Sequence, residues 1–204
     1  MKIVIATHNK DKYKELHFGL KSLDINLKSL FDFPDIGEII EDGDTLKENA
    51  LIKARTVFKM TSLPSISDDT GLEVDALNGA PGIYTARYAG ENCSYLDNVN
   101  KMLYEMKDIS NENRSATFKT VMAYVDGNVE LTCEGIVKGT ITRTIKGVGG
   151  FGYDSIFYSN EKKKTFAEMT IEEKNLVSHR SKAISNLKAE LVTYLNTPNK
   201  KENA

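Results

Sequence analysis

A short apolar run, Pro64 to Ser67, delivers two adjacent carboxylates, Asp68 and Asp69, and then breaks into a loop punctuated by Asn78-Gly79-Ala80-Pro81-Gly82. No other stretch constrains the chain so tightly. Side chains alternate across an extended segment, so Asp69, Glu73 and Asp75 share one face and Asp68 takes the other. Crowded carboxylates repel unless a cation sits among them, and a divalent metal is the economical explanation. A bare Asp-Asp pair at a turn reads as a solvated loop or a helix cap. A pair that closes a buried-looking strand and leads into a Gly- and Pro-rich loop reads as a site.

Helix and strand patterns alternate on both sides of that stretch. Lys2–Ala6, KIVIA, reads as a buried strand. Thr7-His8-Asn9 then opens a helix with Leu16, Leu20 and Leu23 on one face, and Ile25–Leu30 is a second strand. After an acidic loop, Thr45 with Glu48 forms a capping-box signature for a helix to about Met60. Ser94 with Asp97 caps a helix bearing Val99, Leu103 and Met106. Ser115–Val125 and Val129–Gly139 read as two strands joined by the hairpin signal Asp126-Gly127-Asn128. Tyr153–Tyr158 is a further strand, Thr170 with Glu173 caps a short helix, and Arg180–Leu195 is a final amphipathic one. Helices alternating with strands at both ends, around a hairpin, define an α/β domain with a mixed sheet, its strand order open.

At 204 residues the chain is long enough for a sizeable core in one domain, with or without two lobes. A net charge of −2 argues against a general nucleic-acid surface. Cys93 and Cys133 lie far apart with no second pair, so they read as reduced thiols of a cytoplasmic protein. His8, His17 and His179 are too scattered for a His-rich metal centre. No segment approaches the roughly 18 consecutive apolar residues of a membrane span, and no signal peptide is expected, since the first residues already read as strand. Residues 197–204 read as a disordered tail.

Four further stretches carry chemistry. Thr7, His8, Asn9, Lys10, Asp11 and Lys12 lie at a helix N-terminus, where unpaired N–H groups and a positive dipole end suit phosphate. Thr and Asn are also ordinary caps, so the two readings stand side by side. Glu41 precedes a helix on which Asn49 and Lys53, four residues apart, point into the same space; by spacing alone Lys53 reads as a solvated lysine. Gly147-Val148-Gly149-Gly150-Phe151-Gly152 matches GxGxxG, but a dinucleotide fold requires a helix next, and a strand pattern follows. What remains is a closely approached backbone, with Phe151 either core or available to stack on a flat ligand. Finally, Lys174, His179 and Arg180 form a donor-rich cluster between two helices, suited to a carbonyl or a phosphate.

Taken together, the stretches ATHNKDK, LKENALIKA, SDDTGLEVDALNGAPGIYTARYAG, GFGYDSIF and KNLVSHRSKA, in that order from Ala6 to Ala183, closely resemble the Ham1-type inosine triphosphate pyrophosphatase family. The resemblance implies an elongated α/β fold, one domain over 1–196 with two lobes around a mixed sheet and a central cleft, and a homodimer. It implies Mg²⁺-dependent hydrolysis of ITP, dITP and XTP to the monophosphate and pyrophosphate, with a purine nucleotide as partner and neither nucleic acid nor membrane. By position, Asp69 falls on the family's proton acceptor and a metal ligand, with Asp68 beside it and Glu41 a further ligand. Thr7, His8, Asn9, Lys10, Asp11, Lys12, Lys53, Thr70, Phe151, Gly152, Tyr153, Asp154, Lys174, His179 and Arg180 fall on its nucleotide-binding positions. His179 and Arg180 then supply donors to a purine 6-carbonyl, which adenine lacks.

Overall fold

The computed structural model describes residues 1–197, so the expected tail lies outside the described residues apart from Thr197. The chain divides into two packing units. The first holds Met1–Asp69, Val121–Gly135 and the chain from Arg180; the second holds Thr70–Thr120 and Ile136–His179.

The first unit opens with β1 (Lys2–Ile5) and α1 (Lys10–Leu20), followed by β2 (Asn26–Ser29), which pairs parallel with β1 from Lys2–Asn26 to Ile5–Ser29. A parallel pair needs a crossover, and α1 supplies it. α2 (Leu46–Thr61) starts where the capping signature predicts, with Thr45 Oγ1 accepting from the Glu48 N–H. It stops at Ser62, which takes the left-handed conformation. β3 (Ser65–Val74) returns parallel to β1 through Val4–Ser65 and Ile5–Ile66. β1 faces apolar side chains both ways, as a strand covered on each side must. Ile3 and Ile5 pack in one core cluster, Val4 and Ala6 in another with Leu30, Ile36 and Val57.

β3 continues into the second unit, where β4 (Pro81–Gly82) pairs antiparallel with Leu72 and Glu73. α3 (Tyr95–Glu105) begins with a capping box of Ser94 and Asp97. β5 (Ser115–Val125) and β6 (Glu130–Ile141) flank the expected hairpin turn, closed by the Asp126 N–H on the Val129 carbonyl. β7 (Phe157–Ser159), β8 (Lys164–Thr165) and α4 (Ile171–Val177) follow, and α5 (His179–Asn196) ends the described chain. The strand order is β2-β1-β3-β5-β6-β7-β8, with β4 on β3, a mixed sheet as expected. The second unit's core gathers Leu72, Met102, Phe118, Phe157 and Phe166; the first unit's larger cluster buries Leu16 and Leu20 of α1 with Leu187 and Leu191 of α5.

Two expectations need correction. The carboxylate strand does not end at Ser67 but runs to Val74, carrying Asp68, Asp69 and Thr70 inside it. The strand expected over Tyr153–Tyr158 begins only at Phe157, because the Asp154 carboxylate accepts the Phe151 N–H and holds the preceding residues in a turn. No helix follows the glycine run, so its GxGxxG match is one of letters alone. No helix among the described residues is long and apolar enough to cross a membrane.

Candidate active site

Strand alternation decides how the first unit uses its two aspartates. Ser65, Ser67 and Asp69 form one row of β3, and that row faces α2. Ser65 Oγ donates to the Ala54 carbonyl at 2.5 Å, and Ser67 Oγ to the Ala50 carbonyl at 2.5 Å. As β3 advances, its partners on α2 recede toward the helix N-terminus. Helical side chains lean the same way, which brings the Lys53 ammonium to Asp69 Oδ1 at 3.1 Å. The same ammonium donates to Glu41 Oε2. Lys53 is buried, at 6% exposure, not solvated as spacing alone suggests. Burial by itself would lower its pKa, but Asp69, Glu41 and Asp68 outweigh that and hold it above the usual lysine value. Glu41 moves upward as well, because burial raises its carboxyl more than Lys53 lowers it.

Asp68 lies on the opposite face, 1% exposed. Its Oδ2 accepts from Arg180 Nε at 3.2 Å and Nη2 at 3.1 Å, with the Lys12 ammonium at 3.4 Å. Arg180 Nη1 donates to Glu15 at 2.5 Å. Burial pushes the Asp68 carboxyl up, yet Lys12, Arg180 and Lys53 prevail and hold it far below the ordinary carboxylate range. Its crowding with Asp69 is therefore answered by the chain's own cations, and no metal is needed to hold the two together.

A metal is nonetheless compatible with one part of the cluster. Glu41, from a loop, and Asp69, from β3, converge on one ammonium. No group of three or more His, Cys, Asp or Glu able to hold a metal occurs among the described residues. Two carboxylates suffice for Mg²⁺, which takes one or two from protein and completes its shell with phosphate oxygens and water. The donor set fits. At the start of α1, the capping reading accounts for two amides, because Asn9 Oδ1 accepts from the Asp11 and Lys12 N–H groups. Thr7 Oγ1 accepts from the Asn9 N–H, and His8 Nε2 lies 3.2 Å from the Ile36 carbonyl. Lys10 is exposed, and Asp11 pairs with Lys14.

The second unit holds a cluster of another character. The Lys174 ammonium donates to Asp154 Oδ2 at 2.6 Å and lies 4.9 Å from the centre of the Phe151 ring. At Gly150 the loop has no room for a side chain: a Cβ there would lie 2.1 Å from Asp154 Oδ2. The His179 imidazole stacks on Phe118, centroids 4.3 Å apart and planes 14° from parallel, and Phe166 lies beside the pair with its plane 17° from the imidazole and its centroid 6.1 Å away. Tyr153 belongs to the core, its hydroxyl on the Thr85 carbonyl at 3.0 Å, while Gly152 takes a positive φ of 61° with open space beside it. Thr70 pairs its hydroxyl with that of the buried Thr120 at 2.7 Å.

Sequence reasoning passes over Glu15, Ser67, Phe118 and Phe166. Glu15 was within reach, since it follows Lys12 by three residues on one helix face. Ser67 lay in the Asp69 row by alternation. Phe118 and Phe166 carried no local signal, because only packing brings them to His179.

The Ham1 family model matches residues 3–190 of this chain. A dITP/XTP pyrophosphatase of Geobacter sulfurreducens is 46% identical over 93% of this chain and 96% of its own length. One from Desulfotalea psychrophila is 48% identical over 92% of this chain and 84% of its own. Among solved structures, a HAM1 protein from Coxiella burnetii superposes with a TM-score of 0.86 at 38% identity, covering 95% of this chain and 99% of that one.

Proposed function

The chain belongs to the Ham1 family, and on that premise we propose that it is a nucleoside triphosphate pyrophosphatase. It cleaves the α–β phosphoanhydride of ITP, dITP and XTP with Mg²⁺, releasing the monophosphate and pyrophosphate and so cleansing the nucleotide pool. We place it in the cytoplasm as a homodimer. The observation that carries this reading is the convergence of Glu41 and Asp69 on the Lys53 ammonium, while Asp68 is neutralised on the other face of the strand.

Phosphoanhydride cleavage leaves little covalent work to a protein; charge compensation and alignment of water dominate. Mg²⁺ held by Glu41 and Asp69 would supply positive charge to the phosphate oxygens. Lys53 and Lys12 offset the remaining negative charge. Asp69 orients the attacking water and takes its proton. Asp68 is unsuited to that task, because a carboxylate bound by a guanidinium and an ammonium holds its negative charge too firmly to accept a proton. Its part is to fix Arg180 and Lys12.

The aromatic cluster of the second unit suits a flat base. Phe151 provides a face for stacking, Lys174 and Asp154 hold its loop, and Thr70 supplies a hydroxyl. His179 donates to the purine 6-carbonyl; the 6-amino group of adenine, a donor itself, would leave that imidazole unpaired. Arg180 commits at least three of its five N–H groups, bonded to Asp68 and Glu15. We therefore assign base reading first to His179 and the support of the acidic cluster to Arg180.

A product assay across ITP, XTP, GTP and ATP, with and without Mg²⁺, tests the reading. Pyrophosphate release strongest with ITP and XTP and dependent on the metal is the expected result. Orthophosphate release would make the chain a phosphohydrolase of another kind.

A further inference from the structure

Glu41 lies in residues 36–43, which form neither helix nor strand, so something outside regular structure must hold it opposite Asp69. Asn49 does so. Its side chain, 2% exposed, lies one helical turn before Lys53 on α2, and its Oδ1 accepts the Gly43 N–H at 2.8 Å, two residues after Glu41. The approach is close enough to require glycine: a Cβ at Gly43 would lie 2.7 Å from Glu48 Cβ and 2.9 Å from Asn49 Oδ1. One helix thus holds the whole arrangement. α2 fixes β3 through the Ser65 and Ser67 hydroxyls, fixes the acidic loop through Asn49, and sends Lys53 to both carboxylates.

We propose that Asn49 is a positioning residue that, through the Gly43 N–H, sets the Glu41 carboxylate opposite Asp69 for a divalent cation. The inference rests on the reading of Glu41 and Asp69 given above. Partners one shell away from a metal ligand typically govern affinity by about 10–100-fold, and here the partner acts through the ligand's backbone.

The test is Mn²⁺ affinity of the full chain without nucleotide, read by electron paramagnetic resonance, together with exchange protection of the Gly43 amide. Asn49→Ala is expected to weaken Mn²⁺ binding by about 10–100-fold and to expose the Gly43 amide to exchange. Gly43→Ala breaks the same contact from the loop side and should reproduce the loss, so a poorly folding Asn49 variant would not leave the question open. In a Glu41→Gln background, Asn49→Ala should cost nothing further, because residues acting through one another are not additive. An equal loss in both backgrounds, or unchanged affinity in Asn49→Ala and Gly43→Ala, would overturn the assignment. Unchanged affinity in Glu41→Gln itself would instead overturn the reading of the metal site, and the positioning role with it.

Discussion

The acidic cluster of the first unit and the aromatic cluster of the second are both pre-organised, by opposite means. Around β3, four carboxylates, Glu15, Glu41, Asp68 and Asp69, meet three cations, Lys12, Lys53 and Arg180, and charge does the arranging. Around His179, ring planes do it: Phe118 and Phe166 hold the imidazole flat, with one ion pair, Lys174–Asp154, to keep the Phe151 loop in place. Transferring phosphoryl charge is a task for fixed dipoles and ions; selecting a neutral flat base is one for fixed planes and a few donors. The contrast predicts where each region is vulnerable. Damage to the acidic cluster should appear in turnover and stability, damage to the aromatic one in substrate preference.

The largest effect should come from Asp69→Asn. Loss of a general base costs about 10²–10⁴ in rate, so steady-state pyrophosphate release is expected to fall at least that far while circular dichroism is unchanged. Near-wild-type turnover would remove Asp69 from the chemistry.

Asp68→Ala should strike stability harder than any single change in the aromatic cluster. It leaves Arg180 buried with half its compensation gone, a situation that costs about 3–5 kcal/mol, measurable by urea unfolding. The pH dependence has a definite sign. The folded carboxyl lies below its unfolded value of about 4, so the pair's contribution is whole above that pH. It is lost as pH falls toward the depressed folded value, and Asp68→Asn should flatten that acid limb.

On the aromatic side, His179→Phe keeps a plane on Phe118 but removes the donor. The ratio of kcat/KM for ITP over ATP is expected to drop by about tenfold, one hydrogen bond's worth, with stability held. A ratio that does not move would take His179 out of base reading. Phe118→Leu is milder: it forfeits about 0.5–1.5 kcal/mol of ring pairing and should raise KM more than it lowers kcat.

The smallest effect calibrates the comparison. Arg55 and Glu130 form a two-pronged pair at 2.7 and 2.6 Å, as well made as any in the acidic cluster, but both side chains are exposed. Water and salt screen such a pair, so Arg55→Ala should cost only about 0.2–1 kcal/mol and leave turnover unchanged. A larger loss would mean that pairing geometry, not burial, gives the acidic cluster its weight.

Much of this was legible in the sequence because the governing interactions are local. Thr45 with Glu48, Ser94 with Asp97 and Thr170 with Glu173 announced three helix starts, since a cap satisfies amides within three residues of itself. Alternation along the aspartate strand placed Asp68 and Asp69 on opposite faces, and the KIVI run announced a strand covered on both sides. The long aspartate motif identified the family, because its residues are contiguous. Where contacts run between distant segments, the local signal fails. Lys53 reads as a surface lysine until burial beside Asp69 and Glu41 makes it the centre of a cluster, and Arg180 reads as a reader of bases until Asp68, 112 residues away, claims it. Sequence alone therefore settled which residue types are available and, for elements such as the aspartate strand up to Val74, which face they occupy, since backbone periodicity is a property of the neighbouring chain. Only the tertiary structure decided which charges meet, because pairing energy depends on distance and burial, and neither is written in the order of the residues.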